Sequence, residues 1–133
     1  MKVFFDTNIL IYAQLEGAKA ERARKLLDAG GLVSVQVLNE FVNVLSKKLK
    51  RSWTDIEAAL RDALDVLGPP LALTLETNSS ALSLARDHHL SFYDALIVAS
   101  ASAAECVTLY SEDMQHERLF GGLRVVNPFA IED

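Results

Sequence analysis

The chain has one cysteine, three prolines, one tryptophan and no lysine beyond Lys50 in its 133 residues. The lone Cys106 excludes an internal disulfide and a cysteine-based metal cluster. No apolar run approaches the roughly 20 residues that a bilayer span requires. The opening run is interrupted by Asp6 and Asn8 and has no small-residue cleavage site, so no secretory signal is expected and a cytoplasmic setting is. There is no repeat, low-complexity tract or linker, and a single domain over residues 1–133 is expected.

What is present suits a folded enzyme-sized unit. Half the residues are hydrophobic and 23% are charged, which excludes a disordered chain. A chain of this length buries about two thirds of the surface its unfolded form exposes. The net charge is −5, yet residues 1–51 hold 9 Lys/Arg against 5 Asp/Glu, whereas residues 52–133 hold 4 against 13. A basic surface can therefore coexist with an acidic whole.

Short apolar stretches at residues 2–5, 32–33, 71–73, 106–110 and 123–126 read as strands. Helices are expected from Asn8, over residues 18–29 and 35–50, from Ser52 or Thr54 to Gly68, from Thr74 or Thr77 to about His89, and over residues 93–105. Gly30-Gly31 and Pro69-Pro70 punctuate them, and Ser34 is a candidate cap. Strands alternating with helices predict an α/β fold with a mainly parallel sheet, in which sites lie beyond the carboxyl ends of strands.

Acids stand at such places. Asp6 ends the first strand, where it either caps the next helix or faces a site. Asp94 follows Ser91 at capping-box spacing, and Glu112 and Asp113 follow the strand ending at Tyr110. Glu40 lies on the 35–50 helix at the border between an apolar arc and a polar face that includes Gln36, Asn39 and Asn43. That arc exceeds the ~100° stripe of a typical surface helix and leaves room for a covering partner. Clustered carboxylates repel, and protonation or a divalent cation relieves them. An all-oxygen donor set favours Mg2+ or Mn2+.

The segments Val3-Phe4-Phe5-Asp6-Thr7-Asn8-Ile9-Leu10, Phe92-Tyr93-Asp94-Ala95-Leu96-Ile97 and Ser111-Glu112-Asp113, with Glu40 and the closing Asn127-Pro128-Phe129, resemble the PIN-domain ribonucleases. The resemblance is strongest to the toxins of VapBC toxin–antitoxin pairs. It implies a three-layer α/β/α fold with a central, mainly parallel sheet of about five strands. It implies that Asp6, Glu40, Asp94 and Asp113 form a catalytic site for one or two Mg2+ or Mn2+ ions, with Asp113 preferred over Glu112 as the fourth acid. Asn8 and Ser111 match supporting polar positions; Thr7 matches without an assigned role. The implied activity is metal-dependent cleavage of RNA, the implied partners a small antitoxin protein and a second copy in a homodimer.

RNA approaching an acidic site needs cations. Lys47, Lys48, Lys50 and Arg51, at the end of the Glu40 helix, either hold phosphates or balance the helix dipole. His88, His89 and His116 are not expected to be catalytic, and Cys106 is expected at the start of a buried strand. Two alternatives stand beside the nuclease. A phosphoryl-accepting aspartate domain of the receiver or haloacid-dehalogenase type expects a late lysine, and the latter also an acid where Asn8 stands. A catalytically silent PIN-like binding module would use the wide apolar arc for docking.

Overall fold

Phe4 and Phe5 are consecutive residues of an extended strand, so their side chains leave the backbone on opposite faces. Both are fully buried. The sheet that carries them is therefore covered on both sides, as the alternation of strands and helices requires. The computed structural model describes residues 2–130. Strand β1 (Val3–Phe5) is followed by helices α1 (Thr7–Tyr12), α2 (Ala18–Asp28), α3 (Val35–Lys47), α4 (Trp53–Leu67), α5 (Leu75–His88) and α6 (Phe92–Ala103). Strands β2 (Thr108–Tyr110), β3 (Leu119–Phe120) and β4 (Leu123–Val126) complete the regular elements of the described residues.

The sheet runs in the order β1-β2-β4-β3. β1, β2 and β4 are parallel, and β3 returns antiparallel to β4. The strands expected at residues 32–33 and 71–73 shrink to single bridges, Leu32 to Phe4 and Ser34 to Leu71. Four backbone bonds hold this edge, among them Phe5 N–H to the Leu32 carbonyl and Leu71 N–H to the Val33 carbonyl, both 2.9 Å. Neither segment can lengthen. Ser34 already caps α3, and Pro69-Pro70 supply no backbone donors ahead of Leu71. β3 leaves no signal in the sequence, because its two residues carry no period of their own.

Side-chain caps define the helix starts. Ser34, Ser52, Thr74 and Ser91 each accept a hydrogen bond from the backbone N–H three residues on, at 3.1–3.3 Å. Each such cap contributes about 1 kcal/mol. Ser52 and Thr74, rather than Thr54 and Thr77, are the caps used. α3 stops at Lys47 instead of residue 50, since Lys50 turns into the left-handed region at φ 56°. Gly31 passes against β1, where an added Cβ would meet the Phe5 ring and lie 2.8 Å from Val3 Cγ2.

The core joins Phe41 and Leu45 of α3, Ile97 and Val98 of α6, and Leu109 and Val125 of the sheet. Each fully buried Phe, Leu or Ile contributes roughly 1.5–3 kcal/mol. Contacts with α1, α4 and α6 surround α3. The wide apolar arc of α3 is thus largely spent inside the chain, and no external partner is needed to cover it. Cys106 is buried, but in the link between α6 and β2 rather than in the strand.

Candidate active site

Phe5 and Tyr110 are partners in the β1–β2 register, so the chain leaves both strands side by side. Asp6 N–H donates to the Tyr110 carbonyl at 2.9 Å, and Ser111 N–H to the Val126 carbonyl at 3.0 Å. From β1 the chain goes to the Leu32 edge, then crosses to β2 on the other side. Strand order reverses between β1 and β2, the place where open α/β sheets hold their sites.

Asp6 does both things the sequence allowed. Its Oδ1 accepts from Thr7 N–H at 2.7 Å, capping α1. Its Oδ2 accepts from the Ser111 hydroxyl at 2.7 Å and from the Asn8 amide at 3.4 Å. The residue is only 2% exposed. Burial pushes its carboxyl up to about 7; the bonds from Ser111 and Thr7 only partly oppose this, and the charges of Asp94 and Asp113 add to it.

The two acids after β2 are placed differently. Asp113 Oδ2 accepts from the same Asn8 amide at 3.2 Å. Glu112 accepts from Tyr12 Oη at 2.7 Å and Lys19 Nζ at 2.6 Å. Burial would raise Glu112, but these two bonds prevail and hold its carboxyl below the ordinary range. Asn8 Oδ1 accepts from Glu112 N–H at 3.1 Å, pinning the turn. Ser111 Oγ accepts from the N–H groups of Asp113 and Met114, shaping a bend and not a helix.

Glu40, on the second turn of α3, accepts from Thr7 Oγ1 at 2.8 Å and Gln36 Nε2 at 2.9 Å. Gln36 is buried, contrary to its place on the polar face, because α1 packs over that part of α3. Thr7, unassigned in the sequence, reaches the site after all. Asp94 lies half-buried in the first turn of α6. Burial raises its carboxyl, the Ser91 hydroxyl opposes, and the charges of Glu40 and Asp113 add to the rise.

The four acids therefore sense one another, and among the described residues none forms an ion pair with Lys or Arg. No three His, Cys, Asp or Glu among the described residues are already drawn around a single point. A groove of about 680 Å³ opens beside them, lined by Glu40 and Asp113, the amides of Asn39 and Asn43, Lys48 and Tyr93. Of the four basic candidates only Lys48 lines this groove. Lys47 and Lys50 are exposed, and Arg51 donates to the Gln14 carbonyl at 3.3 Å. The sequence alone gives no role to Tyr93, Gln36, Lys19 or Tyr12 and ranks Glu112 only below Asp113 as the fourth acid; the Gln36–Glu40 spacing of four is the one available signal. His88 packs on Phe120, and His116 Nδ1 accepts from Asn127 N–H at 2.9 Å, both outside the groove.

The geometry defines an α/β domain with an acid-lined groove at the switch point of a mainly parallel sheet. The PIN domain family model matches residues 3–120, and the chain belongs to that family. No curated protein matches the chain. Among solved structures it is similar to a toxin–antitoxin complex from Klebsiella pneumoniae, with a TM-score of 0.73 and 23% identity over 98% of this chain and 100% of that one. It is similar to VapBC2 from Rickettsia felis bound to a promoter DNA fragment, with a TM-score of 0.70 and 19% identity over 94% and 97%. It is also similar to Mycobacterium tuberculosis VapC20, a sarcin-ricin loop cleaving toxin, with a TM-score of 0.69 and 21% identity over 84% and 90%. The fold is thus shared with VapC-type toxins.

Proposed function

We propose that this chain is a divalent-metal-dependent endoribonuclease, the toxin of a VapBC-type pair, with Asp6, Glu40, Asp94 and Asp113 as its metal site. The observation that supports this reading is a groove lined by Glu40 and Asp113, with the charges of Asp94 and Asp113 raising buried Asp6, those of Glu40 and Asp113 raising Asp94, and no ion pair to any of the four among the described residues. The RNA-cleaving activity named for VapC20 accords with it.

The donor set fits a hard ion. All candidate ligands are carboxylate oxygens, and buried Asp6 is short of positive charge. Mg2+ keeps several waters and takes one or two carboxylates, which accords with acids that stand near one another without closing on one point. One or two Mg2+ or Mn2+ ions, when bound, lower the pKa of a bound water and offset charge on the reacting phosphate.

The chain's own residues prepare that chemistry. Thr7 N–H and Ser111 fix both oxygens of Asp6. Asn8 sets the spacing of Asp6 and Asp113. Thr7 and Gln36 orient Glu40. Lys19 and Tyr12 occupy Glu112, which favours Asp113 as the fourth acid. Lys48 attracts backbone phosphates into the groove, with Lys47 and Lys50 further out. Arg51 is assigned to holding the Gln14 loop.

The same reading gives the protein a small antitoxin partner, a homodimeric state and a cytoplasmic place of action. No described helix is long and apolar enough to cross a membrane. The test is cleavage of total RNA with Mg2+ or Mn2+, comparing wild type with Asp6→Asn and Asp94→Asn. Wild type alone should cut, and chelation should stop it. Equal cleavage by all three proteins, or none by wild type, defeats the assignment.

A further inference from the structure

Three tyrosines are present, and two are engaged inside the fold. Tyr110 stacks on Phe5 with ring centroids 5.8 Å apart. Tyr12 meets Phe129 edge-on at 4.9 Å and donates its hydroxyl to Glu112. Tyr93 is different. It is 62% exposed. Solvent exposure of a lone aromatic is ordinary, but this one lines the acidic groove and immediately precedes Asp94.

Its position is also firm. Tyr93 lies in the first turn of α6, which Ser91 caps and whose later residues are buried. Phe92, packed into the α5–α6 contact, stands 6.3 Å away at a tilt of 52° and leaves the Tyr93 ring free. On α3, the groove is lined by Asn39 and Asn43, one turn apart and exposed, with Lys48 just past the end of the helix. Amide side chains donate and accept, as base edges and ribose hydroxyls do. An aromatic face, two amides and one cation along an acidic groove match the parts of a single strand: base, edge or sugar, and phosphate. A duplex keeps its bases stacked and offers none to the ring.

We propose that Tyr93 is a specificity-determining residue, its ring stacking on an unpaired base beside the phosphate delivered to the acids and so selecting where the strand is cut. This rests on the nuclease reading above and assigns the residue that selects the base.

The experiment measures Mg2+- or Mn2+-dependent cleavage of a fluorescent single-stranded RNA and of the same RNA annealed to its complement. Wild type, Tyr93→Ala, Tyr93→Phe and Asp6→Asn are compared, and thermal unfolding confirms that each is folded. Loss of one stacked base should raise KM about 10-fold or more in Tyr93→Ala and blur the pattern of cut positions. Tyr93→Phe, which keeps the ring, should recover most of that loss. The annealed RNA should resist wild type. If Asp6→Asn abolishes cleavage while Tyr93→Ala retains the wild-type KM and cut pattern, the stacking role is overturned and the nuclease reading stands. Equal cutting of single-stranded and annealed RNA also overturns it. Absence of wild-type cleavage overturns both.

Discussion

Asn8 and Asp113 lie 105 residues apart in the chain, and the amide of one donates to the carboxylate of the other at 3.2 Å. The same amide reaches Asp6 Oδ2 at 3.4 Å, so a single neutral donor stands between two acids. Its carbonyl oxygen holds Glu112 N–H, which fixes the loop that carries Asp113. Asn8 thus sets the separation of two carboxylates that would otherwise repel.

Replacement of Asn8 should loosen that separation. Asn8→Ala is expected to weaken divalent-ion binding by about 10- to 100-fold, as loss of a ligand-orienting partner commonly does. Asn8→Asp should be worse, since it adds a like charge. Titration of cleavage and of thermal shift against Mg2+ and Mn2+ measures both. An unchanged ion midpoint in Asn8→Ala would mean that the amide has no such role.

Asp6 should imprint a pH dependence on the metal-free protein. Its carboxyl sits at about 7 in the fold against an ordinary 3.8, so the folded state binds this proton more tightly than the unfolded chain. The stability it contributes is complete below about pH 4 and is lost as pH rises toward 7. The loss is at most on the order of 4 kcal/mol. Asp6→Asn keeps one carbonyl acceptor, for Thr7 N–H, and turns an amide donor toward Ser111, and should remove this pH-dependent component. The difference between the two proteins in urea unfolding, taken from pH 4 to 8, isolates it. Divalent ions should restore stability to wild type above pH 7 and leave Asp6→Asn largely unmoved.

Glu40 is held by Thr7 and Gln36, so these two should matter for activity more than for folding. Thr7→Val preserves shape and deletes the hydroxyl; about a 10-fold fall in kcat is expected, with Thr7→Ser near wild type. Gln36→Leu should act in the same direction. Equal kcat in all three would show that Glu40 needs no orienting partner.

The two acids after β2 should separate cleanly. Asp113→Asn is expected to cost at least 100-fold in kcat, whereas Glu112→Gln should cost little activity. Glu112 and Lys19 are solvent-accessible, so breaking their pair should lower stability only slightly. Single-turnover cleavage alongside thermal unfolding reads both effects. The reverse ranking would make Glu112 the fourth acid.

Lys48→Glu should weaken RNA binding and reduce the steepness of its salt dependence, by about 0.7 in the log–log slope per lost phosphate contact. Arg51→Ala should instead lower stability by about 1 kcal/mol, through the lost bond to the Gln14 carbonyl. Anisotropy across a salt series, with Asp6→Asn as the uncut background, distinguishes the two residues.

Much of this was legible in the chain. Caps at Ser34, Ser52, Thr74 and Ser91 are local events, decided by one side chain and the next three backbone donors. Layer type followed from the alternation of strand and helix. The acids could be named because a carboxylate at the end of an apolar strand needs a reason to be there. Strand extent at Leu32 and Leu71 was not legible, because a bridge depends on a neighbour far away in sequence. β3 escaped for the same reason, since its pairing exists only against β4.

The sequence by itself determined the helix starts, the α/β alternation and which acids stand where strands end, because these rest on interactions within a few residues. Only the tertiary structure decided that Thr7 and Gln36 serve Glu40, that Lys19 takes Glu112 away from its neighbour, and that Tyr93 faces the groove. Those outcomes depend on α1 crossing α3 and on β1 lying beside β2, contacts that close long loops and leave no mark on the local pattern.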